Sequence, residues 1–501
     1  MLPLLTAPQI READAYTIAH EPVTSVDLME RAAKAFTDCF VEHFADKSKA
    51  ITIYCGTGNN GGDGLVIAQL LHYLEYTNLT VKIARYSDKA SDDFNVNLQR
   101  LQQTSIPVVI LKPGEAIAPE TSTILIDALL GSGLNKPLSG DLKNLVVYLN
   151  TLNAEVVAVD VSTGFFTEGI QDKEAVVFKA GLAITFQQPR LNFLLPESAA
   201  ATRSWQFVDI GIDKGFIQSL HSHYQWVEAN DIARFLKPRR HFSHKGTYGH
   251  TLIIAGQDKT MGAALLSSAA SAYTGAGLTT ACIPESGLTA LNSYLPELMA
   301  IIRNDGQRPE IDWAQFSAIA IGPGLGKEKS ALILFENVLD SYHQPIVIDA
   351  DAINLLADHI QLLAKVPKGS ILTPHMKEFD RLFGEHANWW QRLKTGTQNA
   401  KQYGVYIVLK NDYTITFAPD ETIYFNSTGN PAMATGGMGD VLTGVIASLL
   451  AQKYSPLEAC LAGAFIHGRA GDDLAVPNKL NVVLPGQLAK QLPATMAKLM
   501  T

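Results

Sequence analysis

The chain is short of positive charge. Across 501 residues, 40 lysines and arginines face 49 aspartates and glutamates, for a formal net charge of −9. That balance excludes a protein that coats nucleic acid, which needs a broad positive field to draw in phosphate backbones. One basic cluster, Lys237-Pro238-Arg239-Arg240-His241, is too short to supply such a field and reads as a solvated linker. Cysteine is scarce too. Cys39, Cys55, Cys282 and Cys460 lie far apart, form no CxxC pair and join no Cys/His group at zinc spacing, which excludes a disulfide scaffold or a zinc module. Long apolar runs are missing: no stretch reaches the roughly 18 residues of a membrane span. Residues 1–7 lack the basic start and apolar run of a secretory signal. Together these absences predict a cytoplasmic protein without nucleic-acid or membrane partners. Short internal repeats, low-complexity tracts and heptads are also lacking.

What is present is the composition of a folded globular protein, 47% hydrophobic and 18% charged. The length calls for more than one core. Strand-like runs alternate with helical patterns throughout, which predicts α/β architecture with mostly parallel sheets. The clearest strands in the first half are 51–55, 80–84, 123–126, 156–159 and 182–185. In the second half they are 251–255, 318–321, 346–348, 370–372 and 405–409. Residues of about 212–245 are polar and rich in His, Lys and Arg, so the join is placed near residue 225, with domains 1–224 and 225–501.

Polar motifs follow these strands, where open α/β sheets bind ligands. The richest lies at 429–440, Gly-Asn-Pro-Ala-Met-Ala-Thr-Gly-Gly-Met-Gly-Asp. Val441, Leu442, Val445, Ile446, Leu449 and Leu450 then recur at helical spacing, so the glycines open a buried helix. Bare N–H groups and the positive end of the helix suit a phosphate, and Asp440 in the first turn could take a proton from an attacking hydroxyl. A plain capping role for Asp440 is the alternative. In the first half, Gly-Thr-Gly-Asn-Asn-Gly-Gly-Asp-Gly at 56–64 satisfies GxGxxG after a strand. A dinucleotide site would continue with an acidic residue after the second strand, whereas Arg85-Tyr86-Ser87 stands there. No Gly-Lys-Ser/Thr follows, so it is not a Walker loop.

The first half resembles the N-terminal epimerase domain of bifunctional NAD(P)H-hydrate repair enzymes, the YjeF family. The matching residues are 56–64, Ile-Asp-Ala-Leu-Leu-Gly-Ser-Gly-Leu at 126–134, Val-Asp-Val-Ser-Thr-Gly at 159–164, and 25–30. The resemblance implies that Asn59, Asn60, Gly61, Gly62 and Asp63 bind a hydrated nicotinamide nucleotide. Gly131, Ser132, Gly133, Leu134, Asn135, Lys136 and Pro137 would join them, with Asp160. Asn60, Asp127 and Thr163 would give oxygens to a potassium ion, a fitting set for a hard cation. Epimerisation at the hydrated carbon needs proton exchange or ring opening, and Asp160 is the candidate acid–base group. The sequence departs from the family pattern at two places: Ser162-Thr163 replaces Pro-Ser, and Lys136 replaces an arginine, losing its bidentate fork.

The second half resembles the ADP-dependent dehydratase domain of the same enzymes, a ribokinase-like fold. The carriers are 244–250, 322–326, 349–352, 372–375, 429–444, His467-Gly468 and 470–472. The fold class implied is a Rossmann-like three-layer sandwich followed by a ribokinase-like three-layer sandwich. A nucleotide would phosphorylate the substrate hydroxyl, and loss of phosphate would restore the double bond. Asp440 would be the general base, with Ala263, Gly324 and His375 lining the substrate site beside it. Lys410, Asn411, Asp412, Tyr413, Thr414 and Gly439 would hold ADP or ATP, and magnesium would ride mainly on nucleotide oxygens and water. Met438 stands where Thr is usual, and Asn411-Asp412 where Gly follows the lysine. The expected reaction is therefore epimerisation of R and S hydrates of NADH and NADPH, then dehydration of the S form with ADP, by a homo-oligomer. The alternatives are a ribokinase-type small-molecule kinase with a nucleotide-sensing first half, or a first half that is a non-catalytic scaffold.

Overall fold

The computed structural model describes residues 1–303 and 309–501. The chain folds as two compact units, Pro3–Ser222 and His223–Thr501, the latter taking in Met1–Leu2.

The first unit is built on a 7-stranded sheet. In chain order its strands are Ile51–Cys55, Leu79–Ala84, Val108–Leu111, Ile124–Ala128, Glu155–Val159, Ala180–Phe186 and Thr202–Val208. In space they run third, second, first, fourth, fifth, sixth, seventh, all parallel. The order reverses between the first and fourth strands, so the crevice at their carboxyl ends is the natural ligand site of an open sheet. Helices cover both faces. The helix Asn59–Tyr73 packs so closely that a Cβ on Gly64 would lie 2.5 Å from Ala128 Cβ and 2.8 Å from Cys55 Sγ. On the other face Leu145, Val146 and Leu149 of the helix Gly140–Leu149 pack with Tyr54, Leu125 and Ala158. The unit is thus a three-layer sandwich.

The second unit has a sheet whose parallel part runs Tyr406–Leu409, Ile371–Leu372, Ile346–Ile348, Ala318–Ile321, His250–Ile254, Leu278–Pro284, Met299–Arg303. An antiparallel hairpin, Ile415–Phe417 and Ile423–Asn426, extends it, and Tyr224–Val227 adds on in parallel. One face buries Ile253, Ala281, Ala320, Val347 and Val408 against the helices Met261–Thr274, Met438–Ala451 and Pro456–Asn478. The expected strands are present, within two residues at each end.

Two expectations change. Asp127 does not follow its strand but lies inside it, because the strand runs on to Ala128. The polar stretch of about 212–245 is not a bare linker: Lys214–Ser219 and Ala229–Phe235 are helical, with Tyr224–Val227 paired between them. The basic cluster is partly tied down as well, with Lys237 over the Tyr454 ring and Arg239 over Tyr248. All four cysteines are buried free thiols. Among the described residues no helix is long and apolar enough to cross a membrane.

Candidate active sites

A cavity of about 690 Å³ opens in the first unit at the switch point of its sheet. That volume lies in the range of small-molecule sites. Asn59, Asn60, Asp63, Gly131, Ser132, Gly133, Leu134 and Asp160 all line it. Gly61 and Gly62 are buried behind the loop, and Asn135, Lys136 and Pro137 are exposed and do not line the cavity. The turn depends on glycine: a Cβ on Gly61 would fall 1.9 Å from the Gly56 carbonyl oxygen. The helix Asn59–Tyr73 starts at Gly58 with no side-chain cap, leaving its first N–H groups to a ligand.

Asp160 sits just past the strand Glu155–Val159, with a left-handed backbone at φ 65°. Its Oδ1 accepts from Arg190 Nε at 3.1 Å, Arg190 Nη2 at 2.7 Å and Thr185 Oγ1 at 2.7 Å. Ser132 N donates to Oδ2 at 3.1 Å. Burial works to raise this carboxyl, but the Arg190 guanidinium and these hydrogen bonds hold it below the usual range. Asp160 is therefore a fixed carboxylate. Burial, helped by the charge of Asp160, lifts Asp63 well above its ordinary value. Asp14, on the helix Ala7–His20, also faces the cavity, and burial raises it to about 6 against the pull of Arg190.

Beside the cavity two of the cation candidates, Asp127 and Thr163, come together. Thr163 N and Oγ1 donate to the two oxygens of Asp127, both at 2.7 Å, and Leu130 N donates to Thr163 Oγ1 at 2.9 Å. The Asn60 side chain packs against the Gly131 backbone. Asp127 is fully buried with no cation among the influences on it, and burial lifts its carboxyl to about 6. Asn60 Nδ2 is buried without a partner among the described residues. A buried carboxylate with a hydroxyl oxygen against it, only partly offset by its hydrogen bonds, fits a monovalent hard cation.

In the second unit the glycine loop is held from behind: Asp472 accepts from Gly429 N at 3.1 Å and Asn430 Nδ2 at 2.7 Å. The helix Met438–Ala451 then opens on Gly437, left-handed at φ 97°, with no side-chain cap. Asp440 makes no hydrogen bond to any described residue, so it is not the cap. Burial first, then the nearby charges of Asp349, Asp351 and Glu378, push it to about 7, with Lys410 opposing. A carboxyl poised there can take and give a proton at neutral pH.

Lys410 reaches under the same helix start. Its Nζ lies 2.8 Å from Asp349 Oδ1 and 3.1 Å from where a Cβ on Gly439 would be. Thr443 Oγ1 donates to Asp349 Oδ2 at 2.7 Å. Burial works against the ammonium, but Asp349 and Glu378 keep the lysine charged and raise it on balance. His375 lies beside Lys410 through a parallel bridge and caps the helix Met376–Phe383, its Nδ1 accepting from Glu378 N at 3.2 Å. Gly324 and Ala263 meet at Thr260, which donates from Oγ1 to Gly324 O at 2.7 Å and accepts from Ala263 N at its carbonyl. Asn411 Nδ2 is buried and unpartnered among the described residues, a free donor in the segment expected to hold a nucleotide. His467 Nε2 contacts Met438 O at 3.0 Å, and burial depresses it to about 4, so it stays neutral.

Sequence reasoning missed Arg190, Thr185 and Asp14 in the first site, and Thr443 and Glu378 in the second. Thr443 lies inside 429–444 but was given no role there, and the others sit in no glycine motif. Arg190 follows Gln187-Gln188-Pro189, a turn signal after a strand that could have drawn attention.

Known protein families match both units. The family described as NAD(P)H-hydrate dehydratase matches residues 251–494, and that described as YjeF-related protein N-terminus matches residues 25–191. The bifunctional NAD(P)H-hydrate repair enzyme Nnr of Moorella thermoacetica is 32% identical over 516 residues, covering 99% of this chain and 97% of its own. The chain belongs to the bifunctional NAD(P)H-hydrate repair enzymes. The Escherichia coli member is 33% identical over 485 residues, covering 95% of this chain and 90% of its own. A crystal structure of the ADP/ATP-dependent NAD(P)H-hydrate dehydratase from Bacillus subtilis, co-crystallised with ATP and Mg2+, is 31% identical. It covers 55% of this chain and 98% of its own at a TM-score of 0.49. The family's two named activities require two sites, and the chain carries two clusters of poised carboxylates, one in each unit.

Proposed function

We propose that the cavity of the first unit is the epimerase site, within residues 1–224, and that the Lys410–Asp440 cluster is the dehydratase site, within 225–501. The chain epimerises the R and S hydrates of NADH and NADPH and dehydrates the S form with ADP, giving AMP and phosphate. The observation that carries the division is Asp440: a carboxyl raised to about 7 at an uncapped, glycine-opened helix start, with a charged lysine beneath it.

In the second site Asp440 takes the proton of the substrate hydroxyl as its oxygen attacks the terminal phosphoryl group of ADP. The free N–H groups of the helix start and Lys410 offset the charge that develops on the phosphoryl oxygens. Phosphate then leaves with the carbon–oxygen electron pair, a proton is lost from the adjoining carbon, and the ring double bond returns. Lys410, Asn411, Asp412, Tyr413, Thr414 and Gly439 bind the nucleotide, and Ala263, Gly324 and His375 bound the substrate. Magnesium would arrive mainly on the nucleotide's own phosphates and water.

In the first site Asn59, Asn60, Asp63 and residues 131–134 bind the nucleotide hydrate, and Asp160 faces it as a carboxylate. Asn60, Asp127 and Thr163 would hold potassium, whose positive charge would offset that of buried Asp127.

The test is recovery of the near-ultraviolet absorbance of reduced nicotinamide from mixed R and S hydrate with ADP, magnesium and potassium. Full recovery is expected. Recovery that stops at the S fraction, after correction for spontaneous epimerisation, removes the epimerase assignment. No recovery with ADP or ATP removes both.

A further inference from the structure

Ionisable side chains enter the first cavity from separate elements. Asp14 comes from the helix Ala7–His20, Asp63 from Asn59–Tyr73, Asp93 from Asp92–Leu101, and Asp160 and Arg190 from segments after strands. Arg11 shares the helix of Asp14. These groups are not equivalent. Asp160 is committed, with three hydrogen bonds on Oδ1 and one on Oδ2, two of them from a guanidinium that is 3% exposed. Protonating it would strand Arg190 as an unpaired buried cation, which is costly. Asp14 has no such commitment: it makes no hydrogen bond or ion pair with any described residue. Its helix is nonetheless fixed, since Thr6 and Gln9 close a capping box at the start and Thr17 Oγ1 accepts from Asp213 N at 3.1 Å farther along.

We propose that Asp14 is the residue that carries the proton in the epimerase site, and that Asp160, locked on Arg190, is a positioning residue. The inference rests on the reading of this cavity as the epimerase site. Burial places Asp14 at about 6, where it can both accept and return a proton. Burial pushes Asp63 well above its ordinary value, a direction that favours its protonated form over a base.

The chemistry balances on one proton. Hydration of the ring's enamine double bond puts the hydroxyl on the carbon bonded to the ring nitrogen. The Asp14 carboxylate takes the hydroxyl proton, the oxygen's electron pair forms a carbonyl, and the carbon–nitrogen pair passes to the nitrogen, conjugated with the carboxamide. After rotation the nitrogen attacks the other carbonyl face, and the new alkoxide takes the proton back from Asp14. Nothing is consumed.

The experiment follows conversion of R hydrate to S hydrate by the full chain without ADP, separating the epimers across pH and subtracting the spontaneous rate. The wild type should lose rate below about pH 6. Asp14→Asn should be at least about 100-fold slower, lack that acid limb, and still bind the hydrate. Asp14→Glu should keep the limb and recover part of the rate. Asp160→Asn should be slower with its limb moved to lower pH, because the charge that raises Asp14 is gone and Arg190 is released. An Asp14→Asn enzyme that epimerises at the wild-type rate with the limb intact overturns the inference. So does equal loss in the Asn and Glu variants together with loss of hydrate binding. A wild type that leaves the R hydrate unchanged overturns instead the epimerase reading on which it rests.

Discussion

The two sites solve one problem in parallel ways and differ at one cation. Each lies at the carboxyl ends of a parallel sheet and pairs one buried aspartate with a cation: Asp160 with Arg190 at 2.7 Å, Asp349 with Lys410 at 2.8 Å. Each leaves a second aspartate unpaired among the described residues and raised by burial, Asp14 to about 6 and Asp440 to about 7. The cations are not interchangeable. Arg190 spends two N–H groups on one carboxylate and is fixed in orientation, whereas the lysine is a point charge on a flexible stem. The ring opening proposed for the first site, with no net charge transfer, needs a rigid, neutralised floor. Phosphoryl transfer needs a positive charge that can lean toward the moving group.

The strongest way to break the parallel is at the unpaired carboxylates. Asp440→Asn should cost dehydration roughly 10²–10⁴-fold and leave epimerisation unchanged, measured separately on S hydrate with ADP and on R hydrate without it. The same variant should melt higher at pH 8. Asp440 is raised in the folded state, so the fold favours its protonated form and loses stability as pH climbs from about 4 through about 7. The Asn side chain removes that loss. Near-normal dehydration by Asp440→Asn would remove the aspartate from the chemistry.

Exchanging the cations tests the difference itself. Arg190→Lys keeps the charge and loses the fork, one charge-assisted hydrogen bond worth about 1.5–3 kcal/mol, so epimerisation should fall by roughly 10–100-fold. Lys410→Arg should impair dehydration by lowering kcat more than it raises the KM for ADP, because the rigid fork stays on Asp349. If both exchanges are silent, fixed against mobile charge is not what separates the sites.

The motif residues were legible because their chemistry is local. A glycine-opened helix start can be read from glycines, a following aspartate and apolar periodicity, and 429–440 and 56–64 both proved to be such starts. Most parallel core strands were legible as short β-branched runs, but the buried Leu278–Pro284, rich in Thr and Ala, was not among those expected. Harder to read were the edge and hairpin strands, Val108–Leu111, Thr202–Val208, Ile415–Phe417 and Ile423–Asn426, which are short or half-exposed and lack a clean period. Arg190 and Asp14 were invisible for another reason. Arg190 lies 30 residues from its partner Asp160, and Asp14 sits on a helix whose weakly amphipathic sequence gives no sign that one carboxylate faces a cavity. Their roles exist only after folding.

The pH profiles sharpen the comparison next. If each unpaired aspartate acts as a base, activity needs its ionised form, and kcat/KM should fall tenfold per pH unit below its value. Dehydration should therefore begin to fail near pH 7 and epimerisation about one unit lower, measured on the same enzyme in one buffer series. Coincident limbs would mean that the two burials do not set the two reactions apart.

The smallest effect concerns the potassium ion proposed beside the first site, for which the second has no proposed counterpart. Among the described residues no cationic side chain pairs with buried Asp127, and its hydrogen bonds from Thr163 and Leu129 only partly offset the burial. A monovalent cation that binds the folded form alone stabilises it by mass action, about 2.7 kcal/mol at a hundredfold excess over its dissociation constant. Replacing a large organic cation by potassium at constant ionic strength should therefore raise the first melting transition by a few degrees and leave the second in place. Below about pH 6 the gain should fade, because Asp127 takes up a proton and no longer needs the ion. Thr163→Val should shrink the gain at every pH, since it removes the hydroxyl that bridges Asp127 and Leu130. A shift shared equally by both transitions would mark a general salt effect instead, and Asp127 would then be balanced by its hydrogen bonds alone.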